Sequence, residues 1–199
     1  LEKAMLDYAE QLSAARKKQL PNVEKQVNQL LIRVGMPNAR LKLQLSKVEP
    51  ALHGTDAVEF LFDANNSGQF APIRKVASGG ELSRLMLCIK SLVARKINLP
   101  TMIFDEIDTG ISGEASKQVG LIMKELASSR QVICITHQPQ IAGKADRHLF
   151  VYKENAGKGM RTNIRALSDT ERITAIAQML GGEKPSAIAM ENAREMMEG

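Results

Sequence analysis

Two hydrophobic rhythms run along the chain, and the first covers residues 1–34. Apolar residues there recur every three or four positions, which is the spacing of one face of a helix. The rhythm slips beside Pro21, which lacks a backbone N–H and therefore predicts a kink or a new helix start. Two interpretations stay open, an amphipathic helix packed on its own domain or one arm of an antiparallel coiled coil. The apolar positions are Leu1, Met5, Tyr8, Leu12, Ala15, Leu20, Val23, Val27, Leu30 and Val34.

The pattern changes to a period of two after Gly35. Apolar and polar residues alternate over 41–46 and again over 58–62, which predicts two strands with one buried face. Residues 53–56 are expected to join them as an antiparallel pair, and residues 65–68 form a turn. This second rhythm opens the region 35–199, which we expect to be a domain distinct from residues 1–34.

Strands and helices then alternate to the end of the chain. The alternation predicts right-handed βαβ units, and hence an α/β fold with a mainly parallel sheet flanked by helices. Continuous apolar strands are expected to be buried on both faces. The predicted strands are 101–104, 131–136, 148–152 and 160–166, with a hairpin-like turn at 155–159 before the last. The predicted helices are 80–93, 114–127 with Ser112 as N-cap, 169–180 and 185–197.

Composition narrows the function classes. The chain has no Trp and only 4% aromatic residues, which argues against a base-stacking surface for single-stranded nucleic acid. A net charge of +5 over 199 residues is mild and favours a solvated surface over a dedicated nucleic-acid site. Cys88 and Cys134 lie in apolar runs and are expected to be buried thiols of a reducing compartment. The three histidines lack ligand-like spacing, so no zinc site is predicted.

Targeting signals are lacking in the sequence. The first residues do not follow a signal-peptide pattern, and no apolar run approaches the roughly 18 residues of a membrane span. We therefore predict a cytoplasmic protein without a membrane partner. The chain begins inside a helical pattern and without Met, which is typical of a piece of a longer protein.

An acidic pair follows the predicted strand 101–104. Asp105 and Glu106 are expected at its carboxyl end, where open α/β sheets bind ligands. An aspartate at that place can hold Mg²⁺, usually through water, and the next glutamate can orient or deprotonate an attacking water. A strand that simply ends in acidic solvent gives the same pattern, so the pair alone does not decide the function.

A glycine-rich turn opens the helix predicted at residue 80. Glycine lets the backbone approach a phosphate closely, and the first helical amides are unpaired and electropositive. The alternative is an ordinary turn with a helix N-cap. The motif consists of Ser78, Gly79, Gly80 and Glu81.

His137 follows the predicted strand 131–136, beside the strand that carries Asp105 if the βαβ unit forms. A histidine there can donate a hydrogen bond to a γ-phosphate, although a lone histidine is more often a surface residue. The loop between the acidic pair and the next helix lies where a dimer contact is expected. It contains Thr109, Gly110, Ile111 and Ser112.

These motifs in this order resemble the C-terminal ATPase lobe of the RecN family, bacterial SMC-like ABC ATPases of DNA repair. The resemblance rests on A-S-G-G-E-L-S-R at 77–84, F-D-E-I-D-T-G-I-S-G at 104–113 and I-T-H-Q-P-Q at 135–140. D-A-V-E-F-L-F-D-A-N at 56–65 and M-L-G-G at 179–182 are similar to that family as well. The match extends over nearly the whole chain and favours the coiled-coil interpretation of residues 1–34.

The resemblance implies a role for each motif. Residues 78–81 correspond to the signature motif that contacts the γ-phosphate of ATP on the opposite head. Asp105 corresponds to the Walker B aspartate that holds Mg²⁺, Glu106 to the catalytic glutamate and His137 to the switch histidine. Residues 109–112 correspond to the D-loop of the dimer contact. Two positions depart from the general ABC pattern, Glu81 where many transporters have glutamine and Ser112 where many ABC proteins have aspartate.

The phosphate loop of such a site is missing. No G-x-x-x-x-G-K-[ST] run occurs in the 199 residues, so the chain is expected to need an N-terminal Walker A lobe. The resemblance further implies an ATP-dependent homodimer of heads, DNA as a partner at an unknown site, and a nucleoid-associated role in recombinational repair of double-strand breaks. Two alternatives stay open, the head of another SMC or RecF-type ATPase and a non-catalytic DNA-binding scaffold.

Overall fold

A computed structural model describes residues 2–75, 79–94, 96–97, 99–155, 157 and 159–198. The contacts divide the chain into two units, Leu1–Leu99 and Pro100–Gly199. The first unit combines a long helix, an antiparallel sheet and a second helix. The second unit combines a parallel strand pair, a β-hairpin and four helices.

Helix α1 spans Glu2–Arg33 without interruption, so the predicted new helix start at Pro21 is wrong. Val27 and Leu31 are fully buried and hold the C-terminal half of the helix against the rest of the unit. Met5, Tyr8 and Leu12 near the other end are exposed. The helix therefore packs most closely near its C-terminal end, while several apolar side chains near its start are exposed in the described structure.

Strands β1 (Arg40–Ala51) and β2 (Gly54–Asp63) form the predicted antiparallel pair. Leu41 pairs with Phe62 and Leu43 with Phe60, as the alternation requires. The turn is tighter than expected because residues 54–56 already belong to β2. A two-residue strand β3, Ala71–Pro72, extends the sheet beyond β2.

Side chains of α1 satisfy the backbone of β1 where no further strand is paired in the described sheet. The side chain of Asn28 accepts from Leu41 N at 2.7 Å and donates to Leu41 O at 3.1 Å. Glu24 Oε1 accepts from Leu43 N at 2.6 Å. The helix thus occupies the edge of the sheet and pairs groups that would otherwise be open to another strand.

A polar cluster fastens α1 to the other end of the hairpin. The Asp56 side chain is 1% exposed, and its carboxylate accepts from Ser13 Oγ at 2.9 Å. Arg16 Nη1 and Lys47 Nζ lie 3.3 and 3.1 Å from its oxygens. Burial by itself raises the pKa of Asp56, but the hydrogen bonds from Lys47, Ser13 and Arg16 outweigh it, so the pKa lies below its ordinary 3.8.

Helix α2 completes the first unit and spans Gly79–Val93. Leu85, Leu87 and Cys88 on its apolar face are fully buried, as the spacing of apolar residues predicts. Gly79, Gly80 and Glu81 of the glycine-rich motif therefore lie at the start of an amphipathic helix, as expected.

The second unit contains the predicted βαβ arrangement. Strands β4 (Thr101–Phe104) and β5 (Gln131–Cys134) are parallel, and α3 (Gly113–Ala127) connects them. One face of the pair is buried, but Ile103 is 60% and Ile135 is 57% exposed. The expectation of strands buried on both faces is therefore wrong for this chain, because nothing in its described part covers that side.

The remaining strands differ from the predicted mainly parallel sheet. Strands β6 (Leu149–Asn155) and β7 (Met160–Ala166) form an antiparallel hairpin, because a short turn can only return a strand antiparallel. Most of β6 is exposed, whereas its apolar run predicted burial. Among the described strands only β4 and β5 pair in parallel, so the α/β class is confirmed with a smaller parallel part.

Three helices close the chain. Helix α4 (Pro139–Ala142) was not predicted, while α5 (Asp169–Gly181) and α6 (Ala187–Glu198) match the expected helices. A capping box between Ser168 and Glu171 fixes the start of α5. The three helices share a core of Ala142, Ile176, Ala177, Ala189 and Ala193. No helix in the described residues is long and apolar enough to span a membrane.

Candidate functional site

The candidate site lies where β4 and β5 end side by side. Phe104 pairs with Cys134 at the last position of the ladder, and Ile135 N continues the pairing with a 2.9 Å hydrogen bond to Phe104 O. Asp105 follows one strand directly, and His137 lies two residues after Ile135 on the other. The predicted neighbourhood of these residues at one edge of the sheet is thus present in the second unit.

The chain turns sharply at the acidic pair. Glu106 has a φ of +56°, a left-handed conformation that is costly for a residue with a Cβ atom. Asp105 and Glu106 are both exposed. Strained backbone of this kind occurs preferentially at functional sites, where the surrounding structure holds it in place. The turn directly after β4 therefore carries two exposed carboxylates in succession.

Asp108 is the residue that organises this edge, and its carboxylate is almost completely buried. Its Oδ2 atom accepts from Thr136 Oγ1 at 2.5 Å and from His137 N at 2.8 Å. The same oxygen lies 3.1 Å from His137 Nδ1. Two hydrogen-bond donors and one ring nitrogen from the segment after β5 thus converge on one carboxylate oxygen of the loop after β4.

His137 combines a fixed ring nitrogen with an open side chain. Its side chain is 73% exposed, although its Nδ1 atom faces Asp108. Gln138 continues the connection, because its Nε2 atom donates to Ile111 O at 3.0 Å and its backbone N donates to Thr136 Oγ1 at 3.0 Å. The segment 136–138 is therefore bound at two points to the loop 108–111.

The predicted dimer-contact loop is partly ordered by its own backbone. Thr109 N donates to Glu106 O and Ile111 N to Asp108 O, both at 3.3 Å. Gly110 has a φ of +74°, which favours glycine at this turn. Ser112 occupies the N-cap position of α3 as predicted, but its side chain makes no capping hydrogen bond.

Negative charge at this edge also affects a neighbouring thiol. Burial, together with the charges of Asp108 and Asp105, raises the pKa of Cys134 to about 12. Cys134 and Cys88 are both free thiols. The carboxylates therefore make an electronegative sheet edge, which is suited to a cation between the protein and a phosphate.

The glycine-rich motif lies in the other unit. Gly79, Gly80 and Glu81 form the first turn of α2, and Gly80 is buried. Ser78 lies outside the described residues. The structure therefore assembles Asp105, Glu106 and His137 with the 109–112 loop in one unit, and places the predicted phosphate-contacting turn in a separate one.

The residues at the sheet edge could supply one ligand of a Mg²⁺ ion but could not hold the ion by themselves. Among the described residues no group of three or more His, Cys, Asp or Glu side chains could hold a metal ion. Mg²⁺ commonly keeps several waters and binds one or two carboxylates together with substrate phosphates. The exposed Asp105 carboxylate matches that requirement, with the remaining ligands left to water and a nucleotide.

Sequence reasoning placed Asp108 in the segment of the expected dimer contact but missed its contact with the segment after β5, and it gave Gln138 no role. Because Asp108 comes two residues after the acidic pair, the sequence alone suggests another exposed residue of an acidic loop. The only available signal is an aspartate directly after the apolar Ile107, which is itself fully buried. That position hints at burial, because a polar residue next to a core residue often turns inward to satisfy backbone groups.

Comparison of sequences shows extensive similarity to one group of proteins. The chain is 38% identical over 198 residues to the DNA repair protein RecN of Rickettsia typhi, covering 99% of this chain and 36% of that protein. RecN of Vibrio cholerae is 36% identical over 191 residues, with coverages of 95% and 34%. The chain thus spans about a third of the length of the curated relatives that it matches. No family profile matches the chain.

Comparison of structures shows the fold of SMC heads. An SMC head domain with a coiled coil and joint from Pyrococcus yayanosii has a TM-score of 0.61 at 22% identity, covering 83% of this chain and 30% of that one. A chain from work on ATP-driven dimerization and DNA-stimulated activation of SMC ATPases has a TM-score of 0.53 at 19% identity, covering 87% and 99%. These likenesses establish the architecture.

Proposed function

The chain belongs to the RecN family in the part that it spans, as an SMC-like C-terminal head segment, and on this premise we propose that it is the C-terminal ATPase lobe of an ATP-gated clamp. In this proposal a separate Walker A lobe supplies the phosphate loop. Two heads then close around ATP, and hydrolysis reopens them. The clamp acts on DNA during recombinational repair of double-strand breaks.

The observation that carries the proposal is the assembly at the ends of β4 and β5. Asp105, Glu106 and His137 lie at one sheet edge, and Glu106 is held in a left-handed turn. The sequence contains no G-x-x-x-x-G-K-[ST] run, so this chain brings the hydrolytic residues without a cradle for the phosphates. Both features fit one lobe of a divided nucleotide site.

Each residue has a distinct task in the proposed reaction. Glu106 orients the attacking water and accepts its proton, since its carboxylate is exposed and follows the end of β4 by one residue. Asp105 would hold Mg²⁺, which when bound neutralises charge on the phosphates. His137 extends an exposed ring from the adjacent strand end and interacts with the γ-phosphate.

The glycine-rich turn takes the opposite side of the proposed site. Gly79, Gly80 and Glu81 form the first turn of α2, and the N-terminal end of a helix favours an anion. We assign this turn to the γ-phosphate of ATP on a second copy of the head. Closure then depends on the γ-phosphate, because only a triphosphate reaches both heads.

Two exposed apolar surfaces, one on the β4–β5 pair and one near the start of α1, are suited to contacts with other segments of the same protein. Ile103, Ile133 and Ile135 are exposed on one side of the β4–β5 pair. We assign this side to the Walker A lobe. The exposed seam of Met5, Leu12 and their neighbours near the start of α1 is assigned to the opposing helix of a coiled-coil arm.

The decisive variant for hydrolysis is Glu106→Gln in the intact protein. It keeps size and hydrogen-bonding capacity but cannot take a proton, so ATP binding persists, turnover falls by at least about a hundredfold and heads stay closed. Glu183→Gln, an exposed glutamate in the loop after α5, is the matched control and keeps wild-type turnover. Wild-type turnover in Glu106→Gln would remove Glu106 from the proposed role.

The signature assignment has its own test in ATP-dependent association. Ser78→Arg places bulk and charge where the partner's phosphate would lie, so heads no longer associate in ATP although nucleotide still binds. Ser129→Arg is the control, because Ser129 is exposed in the turn after α3. Association is measured by light scattering with and without ATP. Equal association of the two variants would contradict the contact in trans.

A further inference from the structure

Asp108 connects two loops whose roles the proposed function treats separately. Its Oδ2 atom accepts hydrogen bonds from Thr136 Oγ1 and His137 N. The same oxygen lies 3.1 Å from His137 Nδ1. Hydrogen bonds from a hydroxyl and a backbone N–H hold this carboxyl oxygen in place, and the histidine ring lies within reach of the same atom. The buried Asp108 side chain therefore connects the loop after β4 to the segment after β5.

The contact at Nδ1 determines what the histidine ring presents to the outside. His137 Nδ1 lies 3.1 Å from Asp108 Oδ2, so the carboxylate favours the ring form with a proton on Nδ1 and leaves Nε2 outside this contact. A singly protonated ring then offers Nε2 as an acceptor, and a doubly protonated ring offers it as a donor. Only the doubly protonated ring can donate to a phosphate oxygen, and the Asp108 carboxylate is the counter-charge that this form requires.

A second hydrogen bond extends the connection into the predicted dimer-contact loop. Gln138 Nε2 donates to Ile111 O at 3.0 Å, and Ile111 is largely buried. Asp108 itself precedes Thr109, the first residue of that loop. The segment that carries His137 and the loop that would face a second head are thus held together at both ends, by Asp108 and by Gln138.

We propose that Asp108 is a positioning residue that fixes the His137 ring with Nε2 directed outward, and that Gln138 links this ring to the dimer-contact loop. The proposal rests on the proposed function and adds a route by which the state of the γ-phosphate reaches the second head. A phosphate that draws His137 moves the segment 136–138, and the bond to Ile111 carries that movement into residues 109–112. Ser112, which lacks the aspartate of many ABC proteins, is not needed for this route.

The ring geometry is tested without nucleotide by NMR of the intact protein labelled with ¹⁵N-histidine. His137→Gln identifies the His137 signals by their loss. We expect Nδ1 to be protonated in the wild type and the proton to shift towards Nε2 in Asp108→Ala. Asp108→Asn, which retains an acceptor oxygen, restores part of the wild-type pattern. A His137 ring with the proton on Nε2 in the wild type, or one unchanged in Asp108→Ala, would overturn the assignment.

The functional part is tested by steady-state hydrolysis of the same variants. Asp108→Asn is expected to lower kcat by about tenfold to a hundredfold with little change in KM, as for loss of an orienting partner. The double variant Asp108→Asn/His137→Gln should be no slower than His137→Gln alone, because both changes remove one function. Asp146→Asn, an exposed carboxylate of the same unit, is the control and leaves kcat unchanged. Additive losses would overturn the positioning role.

Gln138→Met tests the link to the dimer-contact loop. It keeps the length of the side chain but removes the donor to Ile111 O, so the NMR pattern of His137 stays as in the wild type while ATP-dependent head association weakens about tenfold or more. Unchanged association would overturn the link. If the wild-type protein hydrolyses no ATP, the proposed function fails, and the NMR result still decides whether Asp108 holds His137.

Discussion

The left-handed conformation of Glu106 predicts that a glycine at this position stabilises the protein while removing its activity. Glu106 has a φ of +56° and an exposed side chain, so replacing it removes few contacts. We compare Glu106→Gly with Glu106→Ala, because both lose the carboxylate and only alanine retains the Cβ atom. The difference between the two variants isolates the backbone strain.

The magnitude follows from two opposing terms. A residue with a Cβ atom in the left-handed region costs about 1–2 kcal/mol relative to the right-handed one. Glycine loses more conformational freedom on folding, which costs about 0.5–1 kcal/mol relative to alanine. The balance makes Glu106→Gly more stable than Glu106→Ala by about 0.5–1 kcal/mol, and the melting temperature rises by about 1–4 °C for a chain of this size.

The matched control is the same pair of substitutions at Glu114, in the first turn of α3. Glycine is there less stable than alanine by up to about 1 kcal/mol, because the backbone is helical. The assay is thermal unfolding followed by circular dichroism, with hydrolysis measured in parallel. Glycine that is less stable than alanine at both positions would refute the argument for strain at Glu106.

Three further outcomes follow from the packing and the charges. The pKa of Asp56 lies below 3.8, so its contribution to stability is complete above that pH and is lost as the pH falls through the folded-state pKa. Amide hydrogen exchange in α1 should therefore become faster at such acidic pH, and an exchange rate in α1 that reports no loss of stability there would contradict the role of the cluster. Gly120→Ala should destabilise by about 1–3 kcal/mol, since the new Cβ lies 3.0 Å from Gln140 O, whereas Gly159→Ala, with open space around it, should be neutral in the same unfolding assay. Cys134, whose pKa burial raises to about 12, should resist iodoacetamide at pH 8 until the protein unfolds, and rapid native-state labelling would contradict its environment.

The sequence alone predicted those elements whose pattern of apolar and polar residues lies within one short segment. Alternation over 41–46 and 58–62 predicted an antiparallel pair with one buried face, and the observed register, in which Leu41 meets Phe62, keeps the apolar side chains on the same face. An apolar strand followed by Asp105 and Glu106 was likewise enough to place the acidic pair at a sheet edge. The order of the motifs then identified the family, which the comparisons confirm.

Features that depend on contacts between distant segments were missed. Asp108 and Thr136 are 28 positions apart, and their bond exists only because β4 and β5 end together. Helix α4 has four residues, too few to show a helical period. Burial of β6 was overpredicted because an apolar run does not show whether another layer covers it. The α1 helix passes Pro21 because side-chain contacts on both sides override the local preference.

ATP hydrolysis by the chain alone and by the chain combined with a lobe that carries the phosphate loop tests the central claim most directly. Glu106→Gln in the combined sample is the control. The account predicts turnover only in the combination and its loss in Glu106→Gln. Turnover by the chain alone, or none in a combination shown to associate, would contradict the assignment of this chain as the catalytic half of a divided ATPase head.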